Sequence, residues 1–185
     1  MKNASHWKKL GSKILFQNPW ITLVQDEVIT PSGKQGTYTT LDAKPFVIVV
    51  AIEDDNVIMI EQYRYPIQKT VLEFPAGGLE PNEDPLDAAK RELKEETGYE
   101  AKHWEYVGEF YELISISHQP GHLFMAQKLS ATGDHNMKED GINRHLSVSF
   151  KNLERMIDSG KIVDALTPAV FYKIQLRLTS PDNKS

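Results

Sequence analysis

Residues 77–99 read Gly-Gly-Leu-Glu-Pro-Asn-Glu-Asp-Pro-Leu-Asp-Ala-Ala-Lys-Arg-Glu-Leu-Lys-Glu-Glu-Thr-Gly-Tyr. The stretch carries its own helix punctuation. Asp84 can cap the first turn, Pro85 suits the first helical position, Asp87 favours the positive end and Gly98 can stop the helix. At about 100° per residue, Leu86, Ala89, Leu93 and Thr97 share one stripe able to lie on a sheet. Glu92, Glu95 and Glu96 fall on a different face, and Ala88 among them is expected to leave room for a ligand. Glu92 and Glu96 repel each other one turn apart, a penalty that a bound cation would reverse. An ordinary solvated acidic face is the competing explanation, but Asp87, Lys90, Arg91 and Lys94 already supply one.

The preceding Phe74-Pro75-Ala76-Gly77-Gly78 places flexible backbone, with its carbonyls and amides, directly before the acidic helix. A merely solvated helix has no need of such a loop. Together the loop and the carboxylates suggest a site for a divalent metal.

Gly77, Glu83, Arg91-Glu92-Leu93, Glu95-Glu96 and Gly98-Tyr99 together resemble a complete Nudix box. Around it, Asn18-Pro19-Trp20, Glu61-Gln62-Tyr63-Arg64-Tyr65, Glu73-Phe74-Pro75-Ala76-Gly77 and Phe110-Tyr111 are similar to the ADP-ribose pyrophosphatase branch of the Nudix hydrolases. The resemblance covers about residues 18–178. It implies an α/β fold, the Nudix α/β/α sandwich with a mixed sheet and an N-terminal antiparallel strand extension. Residues 1–44 would form that extension and help build a homodimer, 45–179 the hydrolase domain, and 180–185 a disordered tail. An added edge hairpin on a monomer is the alternative for the extension.

The resemblance also implies a reaction: attack of water on the diphosphate of a nucleoside diphosphate sugar, most simply ADP-ribose, giving AMP and ribose 5-phosphate. Mg2+ suits this because it coordinates carboxylate, phosphate and water oxygens together, and Mn2+ could replace it. The expected metal ligands are Glu92 and Glu96, then Glu95, with the backbone carbonyl of Ala76. Glu83 and Arg91 are expected to pair and hold loop to helix. Arg64 could clamp the diphosphate with its planar fork of donors, or form a surface salt bridge. Gly77 would let substrate approach, and Trp20 and Tyr63 could stack on a base, although strand aromatics such as Phe46 usually serve the core.

One departure concerns the proton acceptor. Gln119 stands where the family tends to have a loop glutamate, and an amide cannot accept the proton of water. Replacement bases are Glu139-Asp140, Glu112 or Glu95. His118 and His122 are four apart, but Pro120-Gly121 between them argues against a helical metal pair.

The rest of the chain fits a single soluble enzyme. It has 185 residues, 40% hydrophobic and 25% charged. No apolar run reaches membrane-spanning length, and the lysines near the start lack a signal peptide's apolar core. With no cysteine there is neither a disulfide framework nor a thiolate metal site, and a cytoplasmic location is the default. A net charge of −5 disfavours nucleic acid as partner. The other readings are a Nudix-fold binding or regulatory module without turnover, and a hydrolase of another substrate such as GDP-mannose or an RNA 5′ end. Strands are expected at 20–30, 36–41, 46–53, 57–63, 70–74, 104–112, 122–128 and 146–150, with closing helices at 152–159 and 167–178.

Overall fold

A computed structural model describes residues 6–133 and 141–180. The chain divides into two units, one of residues up to Pro45 together with Tyr111–Pro120, the other of Phe46–Phe110 with the residues from Gly121 onwards.

The first unit is a three-stranded antiparallel sheet in the order β1 (Lys8–Gln17), β2 (Ile21–Ile29), β3 (Gln35–Ala43). Strands β2 and β3 follow the predicted hairpin about the turn at 31–34. Strand β1 was not foreseen, because register shifts between Lys9 and Gly11 and between Ile14 and Phe16 destroy the alternation by which a strand is read. The returning segment 111–120 is tied to β3 by the Leu41 amide, which donates to the Ile116 carbonyl at 2.7 Å, and by the Tyr38 hydroxyl, which donates to Ser115.

The second unit is built on a mixed sheet in the order β10 (Ile142–Ser149), β5 (Asn56–Arg64), β4 (Phe46–Glu53), β9 (Pro120–Ala131), β8 (Tyr99–Tyr111). Strand β4 runs parallel to β9 and antiparallel to β5. The β4–β5 hairpin pairs only from Ala51 to Ile58, beyond which β6 (Lys69–Glu73) pairs with β5 and β7 (Ala76–Gly78) with β4. The segment that leads into the acidic helix is therefore part of the sheet rather than a free loop.

Alternation along β4 sorts the core into two layers. Val47, Val49 and Ala51 face α1 (Pro85–Thr97) with Ala88, Ala89 and Leu93. Ile48, Val50 and Ile52 face the other way, with Met59, Leu153, Phe171 and Ile174 from β5, α2 (Phe150–Asp158) and α3 (Leu166–Thr179). Helices thus cover both faces, as expected. Ala88 corrects one expectation: it is fully buried in the core and leaves no room for a ligand.

Gly121 on β9 shows how tightly this unit is closed. A Cβ there would lie 2.4 Å from Phe110 and 2.7 Å from Phe46. Those two rings meet edge to face, so Phe46 serves the core.

Candidate active site

Helix α1 has the ends its sequence announces. The Asp84 carboxylate accepts from the Leu86 amide at 2.8 Å, Pro85 begins the helix, and Gly98 ends it at φ 70° with its N–H on the Lys94 carbonyl. The buried face is broader than an apolar stripe, because it takes in Glu92 (9% exposed) and Glu96 (4% exposed) as well as the alanines and Leu93. Buried carboxylates persist only where charge or hydrogen bonds compensate them.

Each has such a partner. Glu96 accepts the Ala76 amide at 2.9 Å, joining α1 to β7. Glu92 lies against Gly77, where an added Cβ would fall 2.0 Å from its Oε1. Glycine is required at 77 so that this carboxylate can occupy the space beside the backbone.

Arg91 ties the region together. Its Nε and Nη2 donate to the two oxygens of Glu83, both at 2.9 Å, a bidentate pair between loop and helix. Its Nη1 reaches Glu92 at 2.7 Å and Glu95 at 3.2 Å, and Nη2 also donates to the Gly78 carbonyl at 3.1 Å. Glu83 in turn accepts the Glu80 amide, closing the loop. The Arg91 guanidinium holds the Glu83 carboxyl down at about 2, and Glu83, then Glu92, raise the pKa of Arg91.

The donor set suits a hard cation. Three carboxylates, Glu83, Glu92 and Glu95, share the Arg91 guanidinium, Glu96 is buried beside them as Glu92 is, and every candidate ligand is an oxygen. Among the described residues, no three histidine, aspartate or glutamate side chains converge on one point at ligand spacing. Glu92 and Glu95 are instead turned to Arg91, and Glu96 to Ala76.

Arg64, the last residue of β5, forms the salt bridge that was its alternative reading. Its Nε and Nη2 hold Glu73 of β6, with Nε 3.0 Å from Glu73 Oε1. Glu73 raises the Arg64 pKa most, and the charges of Glu96 and Asp164 also act on it, so Arg64 feels one carboxylate of α1, Glu96. Tyr63 precedes Arg64 in the strand and projects from the opposite face, half exposed. Trp20 lies in the other unit, 74% exposed.

The alternative bases are scattered. Glu95 is partly exposed at the site, Glu112 is exposed in the segment 111–120, and Glu139 and Asp140 lie outside the described residues. The Gln119 amide donates to the Lys44 carbonyl. His118 is 3.1 Å from Asp42, whereas His122 stands on β9 beside Tyr106. Sequence reasoning missed Glu73 and the Gly78 carbonyl. The partner of Arg64 follows from the β5–β6 register, which no motif states.

Comparison with known proteins bears on the whole chain. Residues 43–157 match the NUDIX domain, and residues 7–41 match the nucleoside diphosphate sugar hydrolase N-terminal domain. The chain is 31% identical to an ADP-ribose pyrophosphatase of Bacillus subtilis, over 92% of its own length and 93% of the relative's. It is 32% identical to a methanol dehydrogenase activator of Bacillus methanolicus with the same coverage. The crystal structure of an ADP compounds hydrolase superposes with a TM-score of 0.85 over 96% of this chain and 97% of that one, at 19% identity, and shares its fold. With the box intact on a capped helix and the domain matched over more than half its length, the chain belongs to the Nudix family.

Proposed function

We propose that this Nudix pyrophosphohydrolase cleaves the diphosphate linkage of nucleoside diphosphate sugars, with ADP-ribose as substrate and AMP and ribose 5-phosphate as products. The observation that carries the reading is the pair of buried carboxylates, Glu92 and Glu96, seated against the backbone of Ala76-Gly77 and compensated by Arg91. The similarity of both the N-terminal segment and the full chain to enzymes of this class supports the substrate.

Mg2+, with Mn2+ as a substitute, would neutralise the diphosphate and acidify the attacking water. Glu92, Glu96 and the Ala76 carbonyl would hold it, with Glu95 next. To become ligands, Glu92 and Glu95 must exchange their Arg91 bonds, while Glu83 keeps Arg91 in place through its bidentate pair. Arg64, aligned by Glu73 along its Nε–Nη2 edge, offers Nη1 to a phosphate oxygen. Glu95 is the least buried carboxylate of the cluster and takes the water proton that Gln119 cannot, with Glu139 as second choice. Trp20 and Tyr63 are the candidates for stacking on the base.

The N-terminal extension serves a homodimer in this reading. Leu10, Ile14, Leu15 and Phe16 of β1 are each about half exposed, an apolar surface on an edge strand that a second copy would cover. Light scattering tests this. We place the enzyme in the cytoplasm; among the described residues no helix is long and apolar enough to cross a membrane.

The decisive experiment is a panel of ADP-ribose, GDP-mannose, UDP-sugars, dinucleoside polyphosphates and capped RNA with Mg2+ or Mn2+. AMP release from ADP-ribose is expected to dominate. Glu96→Gln should lower kcat by roughly three orders of magnitude, the scale of losing about 4 kcal/mol of transition-state stabilisation. No turnover anywhere in the panel would overturn the reading.

A further inference from the structure

On the sheet face that carries α2 and α3, a cavity of about 680 Å³ opens between β10, β6 and α2. Its floor includes Leu72, Val148 and Met156, which belong to the layer opposite α1. Among the described residues, its lining includes none of Arg64, Glu73, Arg91, Glu92 or Glu96. The cavity is therefore separate from the candidate active site.

Its charge is also of the opposite sign. Arg144, Arg155 and Lys161 line it, and Glu61 is the acidic residue among the lining. Arg144 is already committed to Glu61, 3.0 Å away, and holds that carboxyl below its usual range. Arg155 and Lys161 lie on exposed positions at the end of α2 and just beyond it. The lining carries three cations against one carboxylate, with the charge of Lys161 also acting on Glu61, and on a chain of net charge −5 the surplus creates a local positive field above an apolar floor. Asn152 adds an amide able to donate or accept. The volume lies within the common range for small-molecule pockets.

We propose that this cavity is a second ligand site, for a small organic phosphate monoester whose phosphate meets Arg155 and Lys161 and whose apolar body lies on Leu72, Val148 and Met156. Neither part alone suffices: the cations provide a weak, salt-sensitive attraction, and the floor selects against a bare anion.

The test is an amide chemical-shift titration of the full chain with phenyl phosphate, with inorganic phosphate as the second arm and no divalent cation present. Phenyl phosphate at up to roughly 10 mM, the range of a weak small-ligand site, is expected to move the amides of 70–72, 146–148 and 152. Inorganic phosphate should move the same amides with at least about tenfold weaker affinity. In the Arg155→Glu/Lys161→Glu variant, whose changes lie on exposed positions, phenyl phosphate binding should weaken by at least about tenfold while ADP-ribose turnover is kept. Absence of shifts, shifts confined to the α1 site, equal affinity for the two phosphates, or an unaltered double variant would each overturn the proposal.

Discussion

The two faces of the large sheet are built from different materials. The face toward α1 carries Val47, Val49, Ala51 and Ala126, which meet Ala88 and Ala89, with Ile58 and Phe124 as its larger side chains. The face toward α2 and α3 carries Ile48, Met59, Phe74, Leu123, Phe171 and Ile174. Small residues let α1 approach β7 closely enough for Glu96 to reach the Ala76 amide and Glu92 to lie against Gly77. Large residues bury more apolar area per contact and carry more of the folding free energy. One face thus spends burial on carboxylates that chemistry needs, and the other supplies the stability that tolerates it.

The contrast breaks most visibly on the apolar face. Phe171 is fully buried between helix and sheet, and Phe171→Ala should cost about 3–5 kcal/mol of stability in denaturant unfolding. Activity per folded molecule should survive, since the ring belongs to the apolar layer opposite α1. A variant as stable as the wild type, or one that is folded but inactive, would erase the division between faces.

On the other face the expectation is reversed. Gly77→Ala forces the Glu92 carboxylate, the movable end of a side chain, out of its place. Turnover should fall by roughly 10–100-fold, the usual effect of disturbing the groups that orient a ligand, while the melting temperature changes little. Equal losses of stability and activity would mean that Gly77 is only a packing requirement.

Acid sharpens the comparison with a smaller effect. Glu83 titrates near 2 when folded against 4.5 for a free carboxyl, so its contribution to stability is complete above pH 4.5 and is lost as pH falls toward 2. The melting-temperature difference between the wild type and Glu83→Gln should be full at neutral pH and close below pH 4.5. A difference independent of pH would assign the effect to something other than the pair with Arg91.

These assignments were legible in the sequence to unequal degrees. Local chemistry was readable: Asp84, Pro85 and Gly98 bound α1 where they were expected to, and Gly77, Arg91 and the glutamates form one connected cluster. What needed register was not. Two register shifts hide β1, and Glu73 could be recognised as the partner of Arg64 only once β6 is known to pair with β5. The Ala88 expectation failed because the small-residue face draws the helix in until its carboxylate side is buried as well.

Hydrolysis as proposed depends on Glu92 and Glu96 gathering a divalent cation beside the diphosphate. That dependence is tested most directly by calorimetric titration of Mg2+ into the protein with a non-hydrolysable methylene analogue of ADP-ribose bound, in the wild type and in Glu92→Gln/Glu96→Gln. Saturable uptake by the wild type and none by the double variant is expected; equal uptake by both, or none by either, would contradict a cation site at Glu92 and Glu96.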